Sequence, residues 1–319
     1  MTACSGDARP ASSTPAAATS TPSPSPEPPV VTKQEAAEEF AAYTRTDDLL
    51  RRVPSEFQGR LLQVQDITTG GQWQLTQAAY LSTGYEPPRH QWGTPTFYVP
   101  RFAKGDGAPW FSVLVPRDGR PTLLTFVKSD RWRLSSAAEL LPGQKLPPIK
   151  LDAEGYATAV PADDKTITIS PQFIGPVHAS VAETGKAGVT DGLLAAGPYT
   201  TEVAEQIAER RESAKSDGFS YDSIFSADNF PVYALRTEDG GALIQYSLSR
   251  TTSTQTKTAE DDYIPVPDSA RWAISSPVLR RSLKLTETHQ YATAVPPLSA
   301  PAPAPVIAHD GALTRASGQ

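Results

Sequence analysis

Apolar runs with a two-residue period, each pair separated by an acidic residue and glycine, direct this chain toward antiparallel sheet. Trp110–Val115 and Thr122–Val127 flank Asp118-Gly119, and Val232–Arg236 and Leu243–Leu248 flank Glu238-Asp239-Gly240-Gly241. Val306–Ala308 and Ala312–Thr314 flank Asp310-Gly311 in the same way. Side chains alternate between faces along a strand, so such runs bury one face. Asp-Gly accepts the positive φ angles that a two-residue hairpin turn demands. The sequence therefore predicts three hairpins. Leu283, Leu285, His289, Tyr291 and Val295 share one face of a further long strand.

Helices are predicted ahead of the strands. Thr32 and Glu35 have the spacing of a capping box, and Ala36, Ala37, Phe40, Ala41 and Tyr43 form an apolar stripe behind it. Past Pro54 the period changes to two: Leu62 and Val64, then Trp73, Leu75, Ala79 and Leu81, read as strands turning at Gly70-Gly71. Thr96–Phe102 reads as a strand, and Arg131–Leu134 as a last strand or the entry to a short helix. Residues 32–160 are thus expected to form a first domain. Residues 161–319 repeat the plan, with a helix opened by Pro171 and a second capped at Thr200 or Thr201. Leu123-Leu124-Thr125-Phe126 matches Leu243-Ile244-Gln245-Tyr246, a short sign of duplication. The expected class is α+β: two helix-on-curved-antiparallel-sheet domains after a disordered Pro-rich N-terminal tether.

Residues 1–31 read as a lipoprotein-type anchor and that tether, the tether itself running from residue 5 to 31. Ser12–Val30 holds six prolines among Ser, Thr and Ala, one charge and no aromatic residue. Such a composition buries too little apolar surface to offset the entropy of ordering. The one cysteine of the chain, Cys4, sits directly before it. Met1-Thr2-Ala3-Cys4 resembles the end of a bacterial lipoprotein signal peptide, in which small residues precede a cysteine that receives lipid; Met1 stands where that pattern has Leu. Cys4 is therefore the expected lipidation site. The protein is expected on the outer face of the cytoplasmic membrane.

The segments 146–161 (Leu-Pro-Pro-Ile-Lys-Leu-Asp-Ala-Glu-Gly-Tyr-Ala-Thr-Ala-Val-Pro) and 233–243 (Tyr-Ala-Leu-Arg-Thr-Glu-Asp-Gly-Gly-Ala-Leu), with Cys4 and the tether, resemble actinobacterial surface lipoproteins of unknown function. The helix-on-curved-sheet layout is similar to nuclear transport factor 2-like and cystatin-like domains. This is a likeness of fold that implies no activity. The resemblance implies no catalytic residues.

Composition narrows the chemistry. A net charge of −6 argues against a nucleic-acid partner. His90, His178, His289 and His309 lie far apart in sequence without metal-ligand spacing, so neither metal nor cofactor is expected. His178 and His289 read as hydrogen-bonded core histidines. Asp152-Ala153-Glu154-Gly155 reads as a β-turn and not a calcium loop, and Glu260-Asp261-Asp262 as a solvated loop. No Gly-x-Ser-x-Gly elbow occurs. What stands above background is aromatic density between Trp73 and Phe111. Strands favour aromatic residues and a small sheet needs them for its core, which is the leading reading of most of this segment; Trp92, in the loop Glu86–Gly93, with Tyr85 and His90, is the candidate contact for a ligand or partner. The reading is a non-catalytic, lipid-anchored surface protein that binds an envelope protein, a glycan or another ligand. The alternatives are an envelope-maintenance role without a discrete ligand and a small-pocket enzyme of hydrolase or isomerase type.

Overall fold

The first helix, α1 (Lys33–Arg52), begins where the sequence places it. In the computed structural model, which describes residues 1–3, 29–52, 59–102, 105, 107–257 and 263–319, the Thr32 hydroxyl accepts the backbone N–H of Glu35 at 3.0 Å. The Thr32 backbone N–H bonds back to the Glu35 carboxylate, the reciprocal half of the capping box. That carboxylate also accepts from Lys128 Nζ (2.9 Å) and Trp132 Nε1 (3.1 Å), which ties the helix to the sheet.

The strands predicted over residues 62–81 are helices, α2 (Gly59–Ile67) and α3 (Gly70–Ser82). Leu62 is exposed, and the buried positions between it and Leu81 are Val64, Thr68, Gly71, Gln72, Leu75, Thr76, Ala78 and Tyr80. That spacing is helical, but small and polar residues supply much of it, so a count of large apolar residues misses it. Gly70-Gly71 is not a hairpin turn. Gly70 has φ +57° at the start of α3, and a Cβ on Gly71 would stand 2.6 Å from Ser247 Oγ. Glycine there lets the helix lie close against a strand.

Four strands complete the first half: β1 (Thr96–Tyr98), β2 (Trp110–Arg117), β3 (Arg120–Lys128) and β4 (Trp132–Leu140). The β2–β3 hairpin turns at Asp118 (φ 56°) and Gly119 (φ 81°), the pair of positive angles expected of Asp-Gly. The second half supplies α4 (Pro171–Thr184), α5 (Thr201–Ser216), β5 (Phe219–Ser226), β6 (Tyr233–Arg236) and β7 (Ala242–Thr256). After a small ribbon of β8 (Ile264–Pro265) and β9 (Val278–Leu279) come β10 (Ser282–Val295) and β11 (Val306–Gly318).

The Asp310-Gly311 turn does not form; β11 runs straight through it, with Gly311 opposite His289. A Cβ at residue 311 would stand 2.5 Å from His289 Nδ1, so this glycine admits an imidazole and does not reverse the chain.

One antiparallel sheet joins both halves in the order β1-β2-β3-β4-β11-β10-β7-β5, with β6 also on β7. It rolls so that β2 and β3 face β7. Phe40 and Tyr43 of α1 pack on the outer face of the first half, against Phe111, Leu124 and Phe126. Ile174 of α4 and Ile207 of α5 pack on the outer face of the second, against Tyr246, Leu248 and Tyr291. Between the inner faces Trp110, Leu123 and Ala138 meet Tyr233, Leu243 and Ile307. The curved antiparallel sheet with helices outside it is the α+β class expected. The boundary expected at residues 160–161 falls between β4 and α4, and the sheet and the inner cluster extend to both sides of it.

Candidate functional site

Two of the candidate contact residues, His90 and Trp92, lie in a pinned loop. Arg51, paired with Asp47 at 2.9 Å, donates from Nη1 to the Pro88 carbonyl at 2.8 Å. The Asp118 carboxylate accepts the Gln91 backbone N–H (2.8 Å) and lies 2.7 Å from His90 Nδ1. Burial lowers the His90 pKa, and the nearby Arg51 charge adds to this against Asp118. The Trp92 ring is half-buried, edge-on to Phe40 (5.9 Å between centroids) and Tyr43 (6.4 Å), with His90 at 5.6 Å. Its indole Nε1 is buried without a hydrogen-bond partner. Tyr85, at φ 69°, packs elsewhere, on the cluster of Leu50, Val64 and Tyr80. Cys4 and Glu260-Asp261-Asp262 lie outside the described residues. In the 152–155 turn the Asp152 carboxylate is occupied by the backbone N–H groups of Glu154 and Tyr156 and by Arg101.

Three histidines that are distant in sequence meet on the outer face of the second half. His178 Nε2 lies 2.6 Å from the Tyr199 carbonyl, which can only accept, so the proton is on Nε2. His178 Nδ1 then accepts from the Tyr246 hydroxyl at 2.7 Å, and that hydroxyl in turn lies 2.8 Å from Thr293 Oγ1. His289 Nδ1 lies 3.0 Å from His309 Nε2, and His309 stacks on Tyr199 with centroids 4.1 Å apart. Burial drives the His178 pKa down to about 4. Burial, then the neighbouring His289 and His178, drive that of His309 to about 3. His178 and His309 are therefore neutral at physiological pH. Spacing along the chain gives no sign of the cluster, because the register of β10 with β11 and the packing of α4 on the sheet assemble it. Among the described residues no group of three His, Cys, Asp or Glu side chains is placed to hold a metal.

The opposite face of the same strands is polar and open. On β7, β10 and β11 the rows run Ser249–Thr288, Thr251–Thr286–Arg315 and Ser253–Lys284–Ser317 in register. Helix α3 borders this face with Trp73, Gln74 and Gln77, leaving a groove of about 390 Å³. Asp228, held at φ 40°, sits at one end with its carboxylate bonded to the Ser226 and Ser249 hydroxyls. Thr288 Oγ1 donates to Gln74 Oε1 at 2.6 Å, which fixes that amide and leaves its NH₂ uncommitted. Lys284 and Arg315 line the groove, and neither has an ion pair among the described residues. The sequence alone hides this site, because the Trp73 segment reads as strand there and no single residue of the groove has a motif of its own. The alternating Ser, Thr and Lys of β7 and β10 were the available signal.

A family model described as Domain of unknown function (DUF8094) matches residues 27–318, so the chain belongs to that family. An uncharacterized lipoprotein of Streptomyces coelicolor, SCO6871, is 29% identical over 343 aligned positions, covering 100% of this chain and 90% of that protein. An uncharacterized lipoprotein of Streptomyces avermitilis is 30% identical over 157 residues, covering 46% of this chain and 44% of that protein. A second from S. coelicolor, SCO2278, is 27% identical over 196 residues, covering 60% of this chain and 54% of that protein. The family is thus an actinobacterial lipoprotein family of unknown function. No solved structure matches the chain. Among the described residues no helix is long and apolar enough to cross a membrane.

Proposed function

We propose that the protein is a non-catalytic lipoprotein, held by lipid on Cys4 at the outer face of the cytoplasmic membrane, which binds an envelope ligand in the groove between α3 and the sheet. The observation that carries this reading is the groove itself. It combines one aromatic side chain, uncommitted amides, rows of hydroxyls and two unpaired cations, on a face that no helix covers fully. Its volume lies within the roughly 300–1,000 Å³ usual for ligand sites. The relatives named as lipoproteins support the anchor, and the tether supplies reach.

The loop of His90 and Trp92, with Tyr85 at its start, is proposed as a second contact region. Its exposed Glu86 and Arg89 do the touching, while Trp92 holds the loop to α1. Two measurements test the reading. Wild-type protein labels with radioactive palmitate and partitions into detergent, whereas Cys4→Ser does neither. The full chain carrying Cys4→Ser is retained on washed envelope material, and Trp73→Ala releases it. An unlabelled wild type removes the anchor, and retention indifferent to Trp73 removes the groove.

A further inference from the structure

The groove is asymmetric, and the asymmetry selects a ligand. At one end the Asp228 carboxylate accepts from Ser226 and Ser249 and keeps lone pairs for a further hydroxyl. Along the floor, Thr251, Thr286 and Thr314 present hydroxyls held by short-range contacts, Thr314 Oγ1 donating to the Thr286 carbonyl at 3.2 Å. At the other end stand two cations. Lys284 faces Ser317 and Arg315 faces Thr286 across β10 and β11, so the two are diagonal neighbours on one face, roughly 7–8 Å apart. In a chain of net charge −6, an unpaired Lys and Arg side by side are a local reversal of sign. Two adjacent cations repel each other unless an anion lies between them. Trp73 lines the wall, and its indole N–H makes no hydrogen bond among the described residues. An aromatic face of this kind stacks on the apolar face of a sugar ring, while amides and hydroxyls match its hydroxyl groups.

We propose that the groove binds an acidic saccharide, its ring against Trp73 and its acid group between Lys284 and Arg315. Asp228 and Gln77 take ring hydroxyls. This rests on the reading of the groove as the binding site and adds the chemical class of the ligand. The acid is a carboxylate, as in a uronic acid, or a phosphate ester on a sugar; both offer the same anionic oxygens.

Isothermal titration of the full-length chain with three probes tests it: an oligogalacturonate, a phosphorylated mannan oligosaccharide and neutral maltohexaose. At least one acidic probe binds tenfold or more tightly than maltohexaose, and its binding weakens as salt rises from 50 to 500 mM, on the order of the screening range of exposed charges. The acidic probe that binds identifies carboxylate or phosphate as the source. Lys284→Ala/Arg315→Ala reduces that binding at least tenfold, and Lys284→Arg largely preserves it. These residues are exposed, so circular dichroism of the variants is unchanged. Equal binding of neutral and acidic probes, or unchanged binding by the double variant, overturns the ligand class and leaves the groove as a saccharide site. Failure of all three probes with envelope retention still dependent on Trp73 also overturns the class alone. Failure of the probes together with Trp73-independent retention ends both readings.

Discussion

Thr125 Oγ1 donates a 2.5 Å hydrogen bond to Gln245 Oε1, joining the third positions of the two matched segments, Leu-Leu-Thr-Phe and Leu-Ile-Gln-Tyr, across the inner faces of the sheet. Ser112 Oγ also donates to Gln245 Oε1, at 3.2 Å. All three side chains are buried. Losing one partner of a buried pair leaves the other desolvated, at a cost of about 1–3 kcal/mol. Thr125→Val is therefore expected to destabilise by about that amount in urea unfolding. Adding Gln245→Leu costs less than the sum of the two single changes, and strict additivity would show that the bond does not couple the halves.

Trp92 offers a second check. Its ring packs on Phe40 and Tyr43 while its indole nitrogen is buried and unpaired. Trp92→Ala is expected to lower stability by about 3 kcal/mol, the low end for truncating a large aromatic, because the ring is only half-buried. Trp92→Phe keeps the packing and removes an unsatisfied donor, so it costs under about 1 kcal/mol. Calorimetry showing Trp92→Ala within about 0.5 kcal/mol of wild type, as for a surface change, would contradict the packing role.

The buried histidines predict a pH dependence of defined sign. The folded pKa values of His178 (about 4) and His309 (about 3) lie below the unfolded value near 6.5, so between these limits the unfolded chain binds more protons. Stability is then greatest above pH 6.5 and falls as pH drops toward 4, by at most about 1.4 kcal/mol per pH unit for each histidine. In melting curves from pH 7 to 4.5, His309→Gln is expected to lose less stability over that window than wild type. Parallel curves would show that His309 is not held neutral.

Much of this architecture was legible in the chain. Asp118-Gly119 and the period-two runs beside it became the β2–β3 hairpin, and Pro171 opened α4, because each depends on backbone chemistry local to a few residues. What was not legible depended on partners far along the sequence. Gly71 and Gly311 look like turn residues, yet one admits a helix against Ser247 and the other an imidazole from β10. The α3 stripe of Gly71, Gln72 and Thr76 is buried because a polar sheet face receives it, so hydrophobic counting read the segment as strand. The groove followed the same fate. Its threonines are ordinary strand residues until register aligns them beside Trp73.

The two halves are proposed as units that fold together. Trp110, Leu123 and Ala138 of the first cover Tyr233, Leu243 and Ile307 of the second, so each half alone would expose an apolar inner face. Fragments 32–160 and 161–319 are expected to bind a hydrophobic dye and unfold without cooperativity apart, and to regain a single sharp transition when mixed. Sharp, dye-free transitions in each separate fragment would show two independent domains.

The groove beside α3 is expected to meet envelope material in the living cell. A photoreactive residue at Gln77, in the groove, and another at Glu205, exposed on α5 across the sheet, put this to a direct test in intact cells expressing the anchored chain. Crosslinks to envelope polymer are expected from position 77, abolished by Trp73→Ala, and none from position 205. Equal crosslinking from both positions, or none from 77, would contradict it.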